Sequence, residues 1–123
     1  VDEGVDVAVT VTRHRDSTGT IEIGLGGPAS ISGSFELGVL PLSLADASAL
    51  VAGSSVGRVL TDPLDRVRIV ELVHRMAALV EQQEEIRVIA ADPVLVTGAG
   101  AAIADVEIAV GDAVDDFAVR RLE

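Results

Sequence analysis

Two carboxylates near the C-terminal end are the residues whose spacing most directly implies chemistry. "IRVIAADPVLV" and "AAIADVEIAV" read as two strands joined at "TGAG". With Gly98-Ala99 as a two-residue turn, Val94 faces Ile103, Val96 faces Ala101, and Asp92 falls directly across from Asp105. Glu107 lies on the same face, two positions along. Directly opposed β-carbons are about 5 Å apart, so the two carboxylates would meet, at a cost unless something neutralises them. A hard divalent cation with oxygen ligands does so. Magnesium held through one or two carboxylates is the kind used with nucleotide phosphates. The competing reading has both groups facing water at an exposed edge, with Pro93 marking the strand as not central. A one-residue slip in register would also separate them.

The second candidate is the glycine cluster in "IGLGGPAS" (Ile23 to Ser30), where Gly24, Gly26 and Gly27 follow a strand-like run. Phosphate loops of the strand–helix kind aim the free N–H groups of a helix N-terminus at the anion. Here Pro28-Ala29-Ser30 leads into serine, glycine and β-type residues, and the chain contains no lysine. A bulge or tight backbone crossing is therefore set against a backbone that approaches a ligand.

Composition bounds the remaining classes. The chain has 123 residues, enough for one domain with a real core, and 49% of them are hydrophobic. Phe35 and Phe117 are the only aromatics, so the core must be aliphatic. The formal net charge of −11, with nine basic residues that are all arginine, argues against a nucleic-acid partner. No apolar run approaches the roughly 18 residues of a membrane span, and no signal-peptide pattern is present. The absence of cysteine removes disulfides, thiolate catalysis and cysteine zinc sites, and fits a cytoplasmic protein. His14 reads as a turn residue and His74 as part of a helix face. Both are expected to be structural. The chain opens at Val1 with strand-like alternation almost at once, as a piece of a longer polypeptide would.

The elements that must position these residues follow from periodicity. "VDVAVTVT" (Val5 to Thr12) places four valines on one face and Asp6, Ala8, Thr10 and Thr12 on the other. "RDSTG" supplies a turn, and "TIEIGL" returns with Ile21, Ile23 and Leu25 inward. "SISGSFELGVL" predicts a weaker strand. "LSLADASALVAG" predicts a short helix with Ser43 and Asp46 at capping-box spacing and Gly53 at its end. A longer helix starts at Thr61 or Asp62 with Pro63 in its first turn and runs to about Gln83. Its expected apolar stripe is Leu64, Val67, Val70 or Glu71, Leu72 to Val73, Ala77 and Val80. The expectation is an α+β fold: an antiparallel sheet of about four to five strands with two main helices over residues 1–111, then a tail, 112–123, without clear pattern.

In this order and spacing the pieces resemble the ATP-grasp domain of ADP-forming (NDP-forming) acyl-CoA synthetases, relatives of the succinyl-CoA synthetase β subunit. The family's strand beginning G-V-E, its R-D turn and its G-L-G-G read here as "GVDVAVTV", Arg15-Asp16 and Gly24 to Gly27. A P-L pair precedes helices, as at Pro41-Leu42. A closing signature like E-L-D-I-N-P-L-L-V and a hairpin to V-D-A-R correspond to "VIAADPVLV" (Val88 to Val96) and "ADVEI" (Ala104 to Ile108). "FAVRRLE" is similar to the ending of actinobacterial members fused to a GNAT-type N-acetyltransferase domain.

The resemblance implies an ATP cofactor with magnesium. Asp92 and Asp105 stand where the family's metal-binding Asn and Asp stand, and Glu107 is a possible helper. Asp6 takes an acidic position near the nucleotide, and Gly24, Gly26 and Gly27 approach the phosphates. It also implies partners in the rest of a larger polypeptide, namely the first ATP-grasp subdomain and CoA-binding domains, and allows a homo-oligomer. Three departures stand out: "PASISGS" lacks the acidic and lysine residues that follow the family's glycines, Val88 and Ala90 replace its Glu and Asp, and Asp92 replaces its Asn. Two functional expectations follow: part of a Mg-ATP site in an acyl-CoA synthetase, inactive alone, or a non-catalytic ATP-grasp-like regulatory or docking domain. A stand-alone α+β oligomer without a nucleotide is a third, weaker reading.

Overall fold

The computed structural model describes residues 4–26, 35–98 and 100–111. Within them the order is β1 (Val5–Arg13), β2 (Gly19–Leu25), β3 (Glu36–Val39), α1 (Leu44–Gly53), α2 (Ser55–Val59), α3 (Pro63–Gln82), β4 (Ile86–Thr97), β5 (Gly100–Ile103) and β6 (Val106–Val110). The sheet runs β3-β2-β1-β4-β5, with β6 pairing the other half of β4. Every pairing is antiparallel. The expected α+β architecture is present. The added features are the short helix α2 and a C-terminal strand divided into β5 and β6.

Alternation in β1 and β2 decides which sheet face is covered. Val7, Val9, Val11, Ile21 and Ile23 are wholly buried against the helices. Each such side chain removed from water contributes about 1.5–3 kcal/mol. The opposite face carries Asp6, Thr10, Thr12 and Glu22, polar or short groups suited to an open surface. The β1–β2 turn is closed by Asp16, whose carboxylate accepts from the Thr18 backbone N–H at 3.1 Å and its hydroxyl at 2.6 Å. His14 sits in the same turn, with Nε2 2.8 Å from the Thr20 hydroxyl.

The helix starts follow their caps. Ser43 Oγ accepts from the Asp46 N–H at 3.0 Å, and the Asp46 carboxylate accepts from the Ser43 N–H at 3.1 Å. That return bond from the Ser43 backbone holds the Asp46 carboxyl below its ordinary range. Asp62 caps α3 by accepting from the Leu64 N–H at 2.9 Å, with Pro63 in the first turn.

The apolar stripe of α3 keeps Val73, Ala77 and Val80 of the expected one, but takes Ile69 and Met76 where Leu64 and Val67 were expected. Ile69, Val73, Met76, Ala77 and Val80 are buried, whereas Leu64 and Val67 are 54% and 50% exposed. Leu64 and Val67 therefore lie on the outer side of α3, away from the stripe that packs on the core.

Candidate functional site

β4 is an interior strand, held by β1 on one side and by β5 and β6 on the other. This corrects the reading in which Pro93 marks an exposed edge. Proline is tolerated here because it sits in a β-bulge. Val7 pairs with Val94 and Val9 with Ala91, so Asp92 and Pro93 together oppose Ala8. The extra residue switches the alternation of β4. Ile89 and Ala91 are buried before it, and Val94 and Val96 after it. Asp92 is left on the exposed surface.

The hairpin register falls where strand counting put it. Val94 pairs with Ile103 and Val96 with Ala101. Beyond the break at Ala104-Asp105, Ala91 pairs with Val106 and Ala90 with Glu107. The ladder continues through the break: Asp92 N–H donates to Asp105 C=O at 3.1 Å, and Ala104 N–H donates to Pro93 C=O at 3.0 Å. Asp92 and Asp105 are thus direct cross-strand neighbours. With Glu107, Thr10 and Ala90 they line a pocket of 220 Å³. A larger groove of 530 Å³ lies between α3 and β5, with Arg68, Arg75 and Ile103 among its walls. Size does not decide between them, because the smaller pocket is the one that Asp92, Asp105 and Glu107 line.

The described part of the glycine run approaches Asp92 from the far side of β1. Gly24 pairs with Ala8 in the β1–β2 ladder. Gly26 extends that ladder by donating its N–H to Asp6 C=O at 2.8 Å. Gly26 also lies so close to the Asp92 carboxylate that a Cβ placed on it would stand 2.6 Å from Oδ1. Asp6 is half-buried at the start of β1, opposite Leu95, and does not line the 220 Å³ pocket. Gly27, the segment after it and the "FAVRRLE" ending lie outside the described residues. His14 and His74 are not part of the pocket lining.

Thr10 is the pocket residue that sequence reasoning did not single out, and Ala90 entered it only as a departure from the family pattern. Thr10 shares the polar face of β1 with Asp6, and its cross-strand partners are Glu22 and Ala90. That face was legible, but the register bringing Thr10 beside Ala90 was not. Among the described residues, no three His, Cys, Asp or Glu side chains gather to hold a metal ion. Chemically, the pocket offers a two-carboxylate edge with a third carboxylate and a hydroxyl nearby.

Residues 1–110 match the ATP-grasp domain family. The chain belongs to the ATP-grasp family. Solved structures agree with this ATP-grasp fold. PH1788 from Pyrococcus horikoshii Ot3 superposes with a TM-score of 0.77 at 22% identity, covering 89% of this chain and 49% of that one. The dinucleotide forming acetyl-coenzyme A synthetase 1 of Ca. Korarchaeum cryptofilum, in complex with coenzyme A and Mg-AMPPCP, gives 0.76 at 24% identity. That match covers 88% of this chain and 54% of the synthetase chain. The ATP-grasp chain described here thus spans about half the length of these structures. No curated protein matches it. No described helix is long and apolar enough to cross a membrane.

Proposed function

We propose that this chain contributes one wall of a Mg-ATP site in an ADP-forming acyl-CoA synthetase-like protein. The carrying observation is the cross-strand contact of Asp92 and Asp105 in the open-face pocket, joined by the 3.1 Å backbone hydrogen bond. Two carboxylates leave room for phosphate oxygens and water to complete a magnesium shell, which is how magnesium is commonly held beside nucleotides. The donor set fits the ion: all its groups are oxygens, on adjacent strands, in a pocket open to a ligand. Magnesium there would offset the negative charge of the phosphates. Asp92 and Asp105 would hold it, with Glu107 and Thr10 orienting water at the pocket rim. The remaining groups of the site, and any phosphohistidine exchange with an acyl-CoA, belong to polypeptide outside this chain.

A second reading, a non-catalytic ATP-grasp module that docks or regulates, draws on one observation. Val88 and Ala90 lie on the same β4 face as Asp92, with Thr12 and Thr10 as their β1 partners. The resembled family carries acids at these two positions. This face therefore holds fewer metal-directed groups than the family pattern.

Calorimetric titration of Mg-ATP into the intact protein separates the two. The Mg-ATP reading expects saturable binding that Asp92→Ala and Asp105→Ala each weaken by about 10–100-fold. The same variants should leave nucleotide binding in EDTA unchanged. No binding by wild type would favour the docking module, and full binding by both variants would remove the metal assignment.

A further inference from the structure

Gly26 needs to be glycine for a reason that its backbone conformation does not supply. Its φ lies outside the left-handed region, so any residue could adopt its backbone there. What excludes a side chain is space. A Cβ would stand 2.6 Å from Asp92 Oδ1 and 3.1 Å from both the carbonyl carbon and oxygen of Val7. β1 lies between β2 and β4. To touch Gly26, the Asp92 side chain must therefore reach across β1. It leaves β4 at the bulge opposite Ala8, whose other partner is Gly24, so the path crosses a row of very short side chains.

We propose that Gly26 is a positioning residue for Asp92: the missing side chain is the space in which the Asp92 carboxylate lies. On this account the glycine cluster acts on the site sterically, by leaving the Asp92 carboxylate its place over β1, and not through a phosphate contact of Gly26. The consequence for cation binding rests on the Mg-ATP reading above. The steric claim does not. It has one physical rival, that Gly26 is required only by the Val7 backbone. The two are separable because a carboxylate oxygen can swing away, or be deleted, while the Val7 peptide cannot.

The test is a double-substitution cycle in the intact protein, read by thermal unfolding and by Mg-ATP titration with and without EDTA. Gly26→Ala should lower Tm when Asp92 is present, and by clearly less in an Asp92→Ala background. It should also weaken Mg-dependent ATP binding by about tenfold or more while leaving affinity in EDTA unchanged, a split that general destabilisation does not produce. Folding of Gly26→Ala that is rescued by Asp92→Ala counts for the proposal. Equal Tm losses in the two backgrounds, or failure to fold in both, would overturn it and leave Val7 as the cause. If wild type takes up no Mg-ATP, the nucleotide reading fails. The Tm cycle still decides whether Gly26 makes room for Asp92.

Discussion

Ile69→Ala is expected to destabilise the chain by about 2–5 kcal/mol, and Val67→Ala, two residues earlier, by no more than about 0.5 kcal/mol. Ile69 is wholly buried, and Val67 is 50% exposed on the outer side of the same helix. Truncating Ile69 removes its transfer free energy and leaves a cavity between α3 and the sheet, which aliphatic neighbours cannot fill by collapse alone. Truncating Val67 removes surface that water already reaches. Urea unfolding midpoints at constant m-value measure both. Equal losses would mean that α3 presents the stripe read from periodicity, with Val67 inward.

Gly57→Ala carries the second large effect, with an expected loss of about 1–3 kcal/mol. A Cβ on Gly57 would meet the Ala52 carbonyl oxygen at 2.8 Å and the Ala52 Cα at 3.0 Å, with the Val51 carbonyl oxygen closer still. All three are backbone atoms, so no side-chain rotation relieves the clash. They also form the corner that sets α2 and α3. Ser54 Oγ donates to Val51 C=O at 2.8 Å, and the Arg66 guanidinium donates to Leu60 C=O at 2.7 Å and to Gly57 C=O. Gly53→Ala is the control, since nothing lies within 4 Å of a Cβ there. It is expected to be neutral, or stabilising by about 0.4–1 kcal/mol through a less entropic unfolded chain. A loss at Gly53 as large as at Gly57 would contradict the packing of the α1–α2 corner.

Local patterns were readable where one rule acts alone. The valine alternation of β1, the Ser43–Asp46 capping box, the Asp62-Pro63 start of α3 and the Gly98-centred turn each depend on a few adjacent residues. They recur in the structure as read. The face of α3 was less legible, because Leu64 and Val67 are apolar but lie on the outer side of the helix, opposite the buried stripe of Ile69, Val73, Met76, Ala77 and Val80. α2 was missed for a related reason. Five residues give no periodicity, and its geometry is set by Ser54, Gly57 and Arg66 across three helices.

At the site, strand counting placed Asp92 beside Asp105 because an antiparallel register is fixed by its turn. The bulge was hidden in plain letters. In "VIAADPVLV" the inward residues shift from Ile89 and Ala91 to Val94 and Val96, a change of parity at Asp92-Pro93. Proline in that run suggested an edge, and the interior position of β4 shows that it marks the bulge instead. The approach of Gly26 to Asp92 spans three strands, and no local rule predicts it.

The central claim is that Asp92 and Asp105 jointly hold a divalent cation beside a nucleotide. Electron paramagnetic resonance of Mn(II) titrated into the intact protein tests it most directly, with ADP as the nucleotide. The account predicts one protein-bound Mn(II) in the presence of ADP, lost in both Asp92→Ala and Asp105→Ala and retained in Asp92→Asn, which keeps an oxygen ligand in place. Bound Mn(II) that survives in both alanine variants, or none in wild type, would contradict it.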